Sequence, residues 1–346
     1  MSKLRTAVVG VGYLGRFHAQ KHKSLDSVEL VGVCDRNTER CAAVAAEMGV
    51  QAFTDHRQLL GKVDAVTIAA STSEHFTLAQ FFLENGVHVL VEKPMTRTSA
   101  EAATLTAIAA ERGLKLQVGH VERFNPALLA ARQSLTTVRF IECHRLAPFK
   151  GRGADVNVIL DLMIHDLDVI LSLVNSAPIS VSAVGIPVLT DEVDIANARI
   201  EFANGAIANV TASRVSTTSQ RRFRVFQPNQ YVSIDFGSGE VRRISKHREW
   251  REGTAPLQEE TWNLEKGDAL LAETQSFVAA IVENRPCEVS GADGLAAGRG
   301  GSAASVGAIS SENAKARPSA RPPARRASRE TGGPAYLQPP RTRAPR

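Results

Sequence analysis

The sequence predicts an α/β protein: a Rossmann-type, doubly wound parallel sheet followed by an α+β domain with an open, largely antiparallel sheet. Two observations predict this class. Over residues 4 to about 119, continuously apolar runs alternate with helical stretches, as in parallel strands that helices cover on both faces. After Pro126, segments typical of strands group around few helices, which favours a second domain of mixed type.

The first half divides into regular elements. Its predicted strands are LRTAVVG, VELVGVCD, VDAVTIAA, VHVLVEKP and LKLQVGH. Helices are expected from Tyr13, through TERCAAVAAEMG, from Glu74 and from Ser99, which has the side chain of an N-cap. Three glycines follow predicted helices at positions that suit a left-handed cap: Gly49, Gly86 and Gly113. We therefore expect a dinucleotide-binding domain over residues 1–120.

The second half, residues 121–297, is predicted to be an α+β substrate and oligomerisation domain. A helix through ALLAARQSL leads to a strand near VRFIECHRL and a long helix over residues 156–174. Strands are then expected to about Asp235, followed by a helix within AETQSFVAAIVENRP.

Composition changes at Gly298. Residues 298–346 contain 10 Lys/Arg and 2 Asp/Glu, whereas the rest of the chain contains 31 and 34, so the basic charge lies in the tail. Because this tail is rich in Gly, Pro and Ser and poor in large apolar residues, we expect it to be disordered. Its abrupt start, where a helix is expected to continue, suggests a frameshift product, and resequencing the 3′ end of the gene would test this.

Cysteine usage and the N-terminus indicate a cytoplasmic protein. The four cysteines form no C-x-x-C pair, which favours reduced thiols and gives no metal site. The first strand begins by Leu4, so we expect neither a signal peptide nor, in the absence of a long apolar run, a membrane span. The basic tail suggests at most weak, salt-sensitive nucleic-acid binding, so no specific nucleic-acid partner is predicted.

The segment AVVGVGYLGRFHA contains a G-x-G-x-x-G pattern at Gly10, Gly12 and Gly15. The pattern alone also fits an ordinary strand-to-helix turn, but here an apolar strand precedes it and a helix follows. In this context the glycines permit a tight turn, close approach of a pyrophosphate and close packing of the helix. Asp35, 20 residues after Gly15, would accept hydrogen bonds from the ribose diol of the coenzyme and therefore favours NAD. Arg36 would instead suit the 2′-phosphate of NADP.

The segment ILDLMIHDLDVILSLV carries the strongest chemical signal. On a helix, Asp161, His165 and Asp168 form one polar stripe beside a broad apolar face. A structural polar seam or a stray metal pair is the alternative interpretation. Lys93, at the carboxyl end of VLVEKP, is at the sheet edge where ligands of open α/β sheets bind. If Lys93 faces Asp161 and His165, the three side chains suit proton removal coupled to hydride transfer.

The motifs GVGYLG, EKP, RFNP and DLMIHD, in this order and at these intervals over residues 3–297, resemble those of the glucose-fructose oxidoreductase, inositol dehydrogenase and rhizopine-catabolism (Gfo/Idh/MocA) family. The resemblance implies NAD(P)-dependent oxidation of an alcohol by a homo-oligomer. It implies a catalytic group of Lys93, Asp161 and His165, with His165 the proton acceptor. The implied cofactor-binding residues are Gly10, Gly12, Tyr13, Leu14, Gly15, Asp35, Arg36, Ser71, His75, Glu92 and Lys93. The implied substrate-binding residues are Arg123, Asn125, Arg152, Asp161 and His165.

Within the family, the likeness of the segments GVGYLGRFHA, VGHVERFNPA and DLMIHDLDVILSLV implies a sugar or sugar nucleotide as substrate. The 3-hydroxyl of UDP-N-acetylglucosamine, a lipid A precursor, is the first expectation. Arg145, Lys150 and Arg152 are then candidate ligands of the UDP pyrophosphate, or else part of a solvated basic loop. His120 and Glu122 either border the cleft or are hinge residues. The alternatives are an inositol or polyol dehydrogenase, and a non-catalytic NAD-binding regulatory protein.

Overall fold

Six parallel strands form the first sheet of the computed structural model, which describes residues 2–149, 156–247, 251–252 and 257–315. The strands are β1 (Leu4–Val9), β2 (Val28–Cys34), β3 (Gln51–Phe53), β4 (Ala65–Ile68), β5 (His88–Glu92) and β6 (Leu116–Gly119). Their spatial order is β3-β2-β1-β4-β5-β6, and all pairings are parallel. The predicted Rossmann-type sheet is confirmed, and its switch point lies between β1 and β4, where such sheets bind ligands.

Four helices connect these strands: α1 (Tyr13–Ser24), α2 (Thr38–Met48), α3 (Thr72–Glu84) and α4 (Ser99–Glu111). The three glycines predicted to end helices all have positive φ angles. The predicted N-cap of α4 is wrong by one residue, because Thr98 caps the helix through a reciprocal pair of hydrogen bonds with Glu101.

The second sheet has eight strands and is largely antiparallel, as predicted. They are β7 (Phe140–Leu146), β8 (Pro178–Ile186), β9 (Ile195–Phe202), β10 (Ile207–Ser213), β11 (Gln220–Gln227), β12 (Gln230–Asp235), β13 (Glu240–Lys246) and β14 (Leu257–Asn263). The order is β14-β13-β12-β11-β7-β10-β9-β8, with one parallel pair, β7 and β10. The predicted end of the strands near Asp235 is wrong, because β13 and β14 extend the sheet to Asn263.

Two helices lie near the junction of the two sheets, α5 (Pro126–Arg132) and α6 (Ile164–Val174). The helix predicted over residues 156–174 is a π-helical turn over Ile159–Met163 that continues into α6. Short π-helical segments are common at functional sites. Apolar side chains of this segment join those of the second sheet in one large core.

The chain then returns to the first sheet through α7 (Ala269–Val282) and α8 (Gly291–Lys315). Phe277 of α7 is fully buried against Ala65 and Leu90 of the first sheet. The predicted disorder from Gly298 is wrong for residues 298–315, which continue α8 along β8. Ala304 and Ala308 are fully buried there, so this face of β8 is covered. Residues 316–346 of the predicted tail lie outside the described residues, and the frameshift origin stays a hypothesis. None of the helices within the described residues is long and apolar enough to span a membrane.

Candidate active site

The glycine loop after β1 has the shape that a dinucleotide requires. Gly10 has a φ angle of 84°, and a Cβ atom there would lie 2.5 Å from the backbone nitrogen of Ala70. A Cβ atom on Gly15 would lie 1.9 Å from the carbonyl oxygen of Gly10, whereas Gly12 faces open space. Gly12 is also the N-cap of α1 and provides no side-chain cap. The unfilled helix N-terminus and open backbone therefore fit a pyrophosphate.

Asp35 lies at the end of β2 and borders a cavity of about 430 Å³ that the glycine loop also lines. Its carboxylate accepts hydrogen bonds from the backbone of Val11 and Asn37 and from the guanidinium of Arg40. Burial alone would raise the pKa of Asp35, but these hydrogen bonds outweigh it and hold the pKa below its ordinary value. Arg40 was not predicted from the sequence, because nothing in the spacing of α2 indicates which way its side chain points.

The other predicted cofactor residues have different surroundings. Arg36 and Ser71 line the same cavity, and Arg36 donates a hydrogen bond to Glu74 at 2.6 Å. Tyr13 and Leu14 are exposed on the first turn of α1. The buried ring of His75 lies between the carbonyl oxygens of Pro94 and Ala70, at 2.9 and 3.0 Å. Since both ring nitrogens contact protein carbonyls, His75 is placed to position the loop after β5.

The structure brings Lys93 and Asp161 together, as the sequence predicted. Lys93 Nζ donates to the Asp161 carbonyl at 2.6 Å and lies 3.6 Å from its carboxylate Oδ1. The π-helical turn presents both Asp161 groups to the end of β5. Burial lowers the pKa of Lys93, although the nearby carboxylates of Asp161 and Glu92 oppose this. The lysine is therefore held in one position by the second domain, at the sheet edge that binds ligands.

His165 lies one turn beyond Asp161, and both line a second cavity of about 460 Å³. Burial is the main reason why the pKa of His165 is well below its ordinary value, and the positive charges of Lys93 and Arg145 lower it further. Its Nδ1 is buried and has no hydrogen-bond partner among the described residues. A neutral imidazole beside a cavity is the state of histidine that accepts a proton.

Arg123 and Asn125, two predicted substrate residues, make hydrogen bonds to other residues of the protein. Arg123 forms a buried ion pair with Asp168, at 2.8 and 3.3 Å, and also contacts Asp293 at 3.1 Å. The predicted polar stripe therefore divides, because Asp168 turns towards Arg123 while the other two members line the cavity. Asn125 caps α5 by accepting a hydrogen bond from the backbone of Ala127. Their geometry indicates structural roles.

Arg145 borders the His165 cavity, but its guanidinium is committed to two carboxylates. It contacts both oxygens of Asp166, at 2.9 and 2.8 Å, and Glu122 at 2.9 Å. Burial opposes the charge, but these carboxylates raise the pKa of Arg145 above its ordinary value. Glu122 thus lies in the cavity wall. Lys150 and Arg152, the other predicted phosphate ligands, lie outside the described residues.

Three buried side chains meet at the end of β5: His18, Glu92 and Glu273. His18 Nε2 lies 2.8 Å from Glu92, whose second oxygen accepts from the backbone of Lys93. Glu273 of α7 completes the group, and ligand atoms of the two carboxylates and the imidazole lie within 4.8 Å of one another. Burial first, then the neighbouring Glu92, raise the pKa of Glu273 well above its ordinary value. Protonation of Glu273 removes the cost of burying a second negative charge beside Glu92.

Comparisons with known proteins agree with this architecture. Residues 4–120 match the GFO/IDH/MocA oxidoreductase family with an NAD-binding Rossmann fold, and residues 131–229 match the C-terminal domain of that family. The UDP-N-acetylglucosamine 3-dehydrogenase of Acidithiobacillus ferrooxidans is 43% identical over 295 residues, which cover 85% of this chain and 94% of that protein. The scyllo-inositol 2-dehydrogenase (NAD(+)) of Bacillus subtilis is 32% identical over 62% of this chain and 68% of that protein.

A solved structure of the same UDP-N-acetylglucosamine 3-dehydrogenase superimposes with a TM-score of 0.84 at 41% identity. The superposition covers 90% of this chain and 99% of that chain. The likeness therefore extends through both sheets.

Proposed function

Because this chain belongs to the Gfo/Idh/MocA family of NAD-binding oxidoreductases, we propose that it oxidises the 3-hydroxyl of UDP-N-acetylglucosamine to a ketone, in the supply of lipid A precursors. One observation carries the proposal: Lys93, Asp161 and His165 converge where the second domain meets the ligand-binding edge of the first sheet. The choice of substrate is supported by the relative that is 43% identical over 94% of its own length.

The chemistry divides between the coenzyme and the side chains. NAD, when bound, accepts the hydride from the carbon that carries the hydroxyl group. His165 takes the hydroxyl proton, because its depressed pKa keeps the imidazole neutral near pH 7. The Lys93 ammonium, fixed on Asp161, is placed to hold the substrate oxygen and favour its negative charge.

A diphosphate substrate is supported by the charges around the His165 cavity. Arg145 and Arg214 line it, but each is buried and paired with a carboxylate, Asp166 and Asp194 respectively. Arg221 of β11 also lines it and is 54% exposed, and within the described part of the chain its ion-pair contact is a long one, 3.9 Å to Glu122. We therefore assign Arg221 as a ligand of the substrate diphosphate.

The experiment is to follow NADH at 340 nm with UDP-N-acetylglucosamine, free N-acetylglucosamine, myo-inositol and scyllo-inositol. We expect turnover with the UDP-sugar alone, and Arg221→Ala should raise its KM about tenfold or more, equivalent to about 1.4 kcal/mol. Arg222→Ala is the matched control, because its side chain projects to the opposite face of β11. Faster oxidation of an inositol than of the UDP-sugar would contradict the assignment, and absence of turnover with every substrate would favour a regulatory role.

We also propose that NAD binds more tightly than NADP, that the protein is cytoplasmic and that it forms a homo-oligomer. Asp35 supports the coenzyme preference, and the four free cysteines support a reducing compartment. Exposed apolar side chains of β8 and the following turn, including Val184, Ile186 and Leu189, support an interface. Light scattering after size-exclusion chromatography measures the oligomeric state, and a monomer at micromolar concentration would contradict the proposal.

A further inference from the structure

The carboxylate of Asp35 already has as many hydrogen-bond donors as it has lone-pair directions. Oδ1 accepts from the Asn37 backbone at 2.8 Å and from Arg40 Nη2 at 2.7 Å. Oδ2 accepts from the Val11 backbone at 2.8 Å and from Arg40 Nε at 3.1 Å. Because a carboxylate has about four acceptor positions, a ribose diol can bind Asp35 only if one of these donors moves away.

Arg40 is the donor that can move. The two backbone N–H groups belong to the loops that follow β1 and β2, so their displacement would deform both loops. The Arg40 side chain is 48% exposed, whereas that of Asp35 is 6% exposed. A half-exposed guanidinium can turn into solvent, and Asp35 then keeps the two backbone hydrogen bonds that satisfy its buried carboxylate.

The same ion pair changes how the site treats a 2′-phosphate. An isolated carboxylate at the end of β2 repels that phosphate. Here the positive charge of Arg40, held in a two-pronged contact, compensates the charge of Asp35. Arg36, the residue that the sequence singled out for this role, is 81% exposed and is held by Glu74 of α3.

We infer that Arg40 is a specificity-determining residue for the coenzyme, which lets the site accept NADP as well as NAD. With NAD, Arg40 swings away and Asp35 accepts the ribose diol. With NADP, Arg40 turns its fork from the carboxylate to the 2′-phosphate, while Asp35 keeps its two backbone donors. The inference concerns the coenzyme site and does not depend on which sugar is oxidised.

The test is titration of the purified full chain with NADH and NADPH, followed by nicotinamide fluorescence in the absence of any sugar. For Arg40→Ala we expect NADPH binding to weaken about tenfold or more and NADH binding to stay within about threefold. Arg16→Ala is the matched control, because Arg16 makes the same two-pronged contact with Glu47, at 2.7 and 2.9 Å, between α1 and α2. That variant should leave the ratio of the two dissociation constants unchanged.

Arg40→Lys keeps the charge but loses the fork, so its NADPH affinity should fall between those of the wild type and Arg40→Ala. It also gives a second reading if Arg40→Ala fails to fold. Equal weakening of both coenzymes in the Arg40 variants would overturn the inference. An Arg36→Ala variant that changes the ratio as much as Arg40→Ala would also overturn it. Because no substrate is present, failure of the proposed sugar oxidation would leave this result readable.

Discussion

Replacing Arg123 by Met should destabilise the protein, although the sequence motif around Arg123 suggests a substrate ligand. The side chains of Arg123 and Asp168 are 5% and 1% exposed, so the substitution leaves a buried carboxylate without its cation. Removing one partner of a buried ion pair typically costs about 3–5 kcal/mol. We expect a loss of that size in the free energy of unfolding, measured by urea denaturation with circular dichroism.

Two further variants separate the ion pair from other effects. Arg123→Met combined with Asp168→Leu should recover much of the loss, because no unpaired charge then remains buried. Arg132→Met removes a pair of similar length with Glu288, 3.2 Å, whose side chains are both more than 40% exposed, and should cost about 1 kcal/mol or less. An Arg123→Met variant that loses less than about 1 kcal/mol of stability and instead raises the substrate KM about tenfold would contradict the structural role of Arg123.

Three other perturbations test separate parts of the structure. The pKa of Glu273 is raised in the folded protein, so the folded chain keeps a proton that the unfolded chain releases above about pH 4.3. The free energy of unfolding should therefore fall as the pH rises from about 4.3 through the pKa of the folded state. Glu273→Gln should therefore show a smaller fall in urea midpoint between pH 6 and pH 8.5 than the wild type, and equal falls would contradict the protonated state. Lys93→Met should lower kcat about 100-fold with little change in NADH affinity, and an unchanged kcat would exclude Lys93 from the chemistry. Ending the chain after Ala297 should lower the thermal midpoint by uncovering β8, whereas ending it after Lys315 should not, and equal midpoints would show that this part of α8 contributes no stability.

Periodicity and glycine spacing predicted the first sheet well, because those signals are local. A continuously apolar strand, a glycine turn and a helix specify the coenzyme loop from about 20 consecutive residues. The positions of Lys93, Asp161 and His165 beside the cleft were also predictable, since each stands in a motif with a fixed relation to a strand end or helix face.

The partners of charged residues were not predictable in the same way. The sequence does not show which carboxylate Arg40, Arg123 or Arg145 contacts, because only tertiary packing decides the partner of each. The chemical role of Arg123 therefore could not be read from its motif. Its partner lies 45 residues further along the chain, on α6.

The C-terminal helix shows a different limit. Residues 298–315 have few large apolar side chains, so composition predicted disorder. In the structure, small residues let α8 lie close to β8: a Cβ atom on Gly307 would be 3.3 Å from Ala183, and one on Gly185 would be 2.7 Å from Ala308. Small residues, rather than a stripe of large apolar side chains, pack this helix on β8. The sequence therefore shows little of the apolar periodicity that predicts a helix.

The fate of the hydrogen on the substrate carbon tests the proposed hydride transfer. UDP-N-acetylglucosamine deuterated at C3 is incubated with NAD and excess protein, and the reduced coenzyme is analysed by mass spectrometry. Wild-type protein should give singly deuterated NADH, and His165→Ala should form it about 100-fold more slowly while binding NADH normally, a loss of about 2.7 kcal/mol in transition-state stabilisation. Reduced coenzyme without deuterium, or undiminished transfer by His165→Ala, would contradict the proposed reaction and the role of His165.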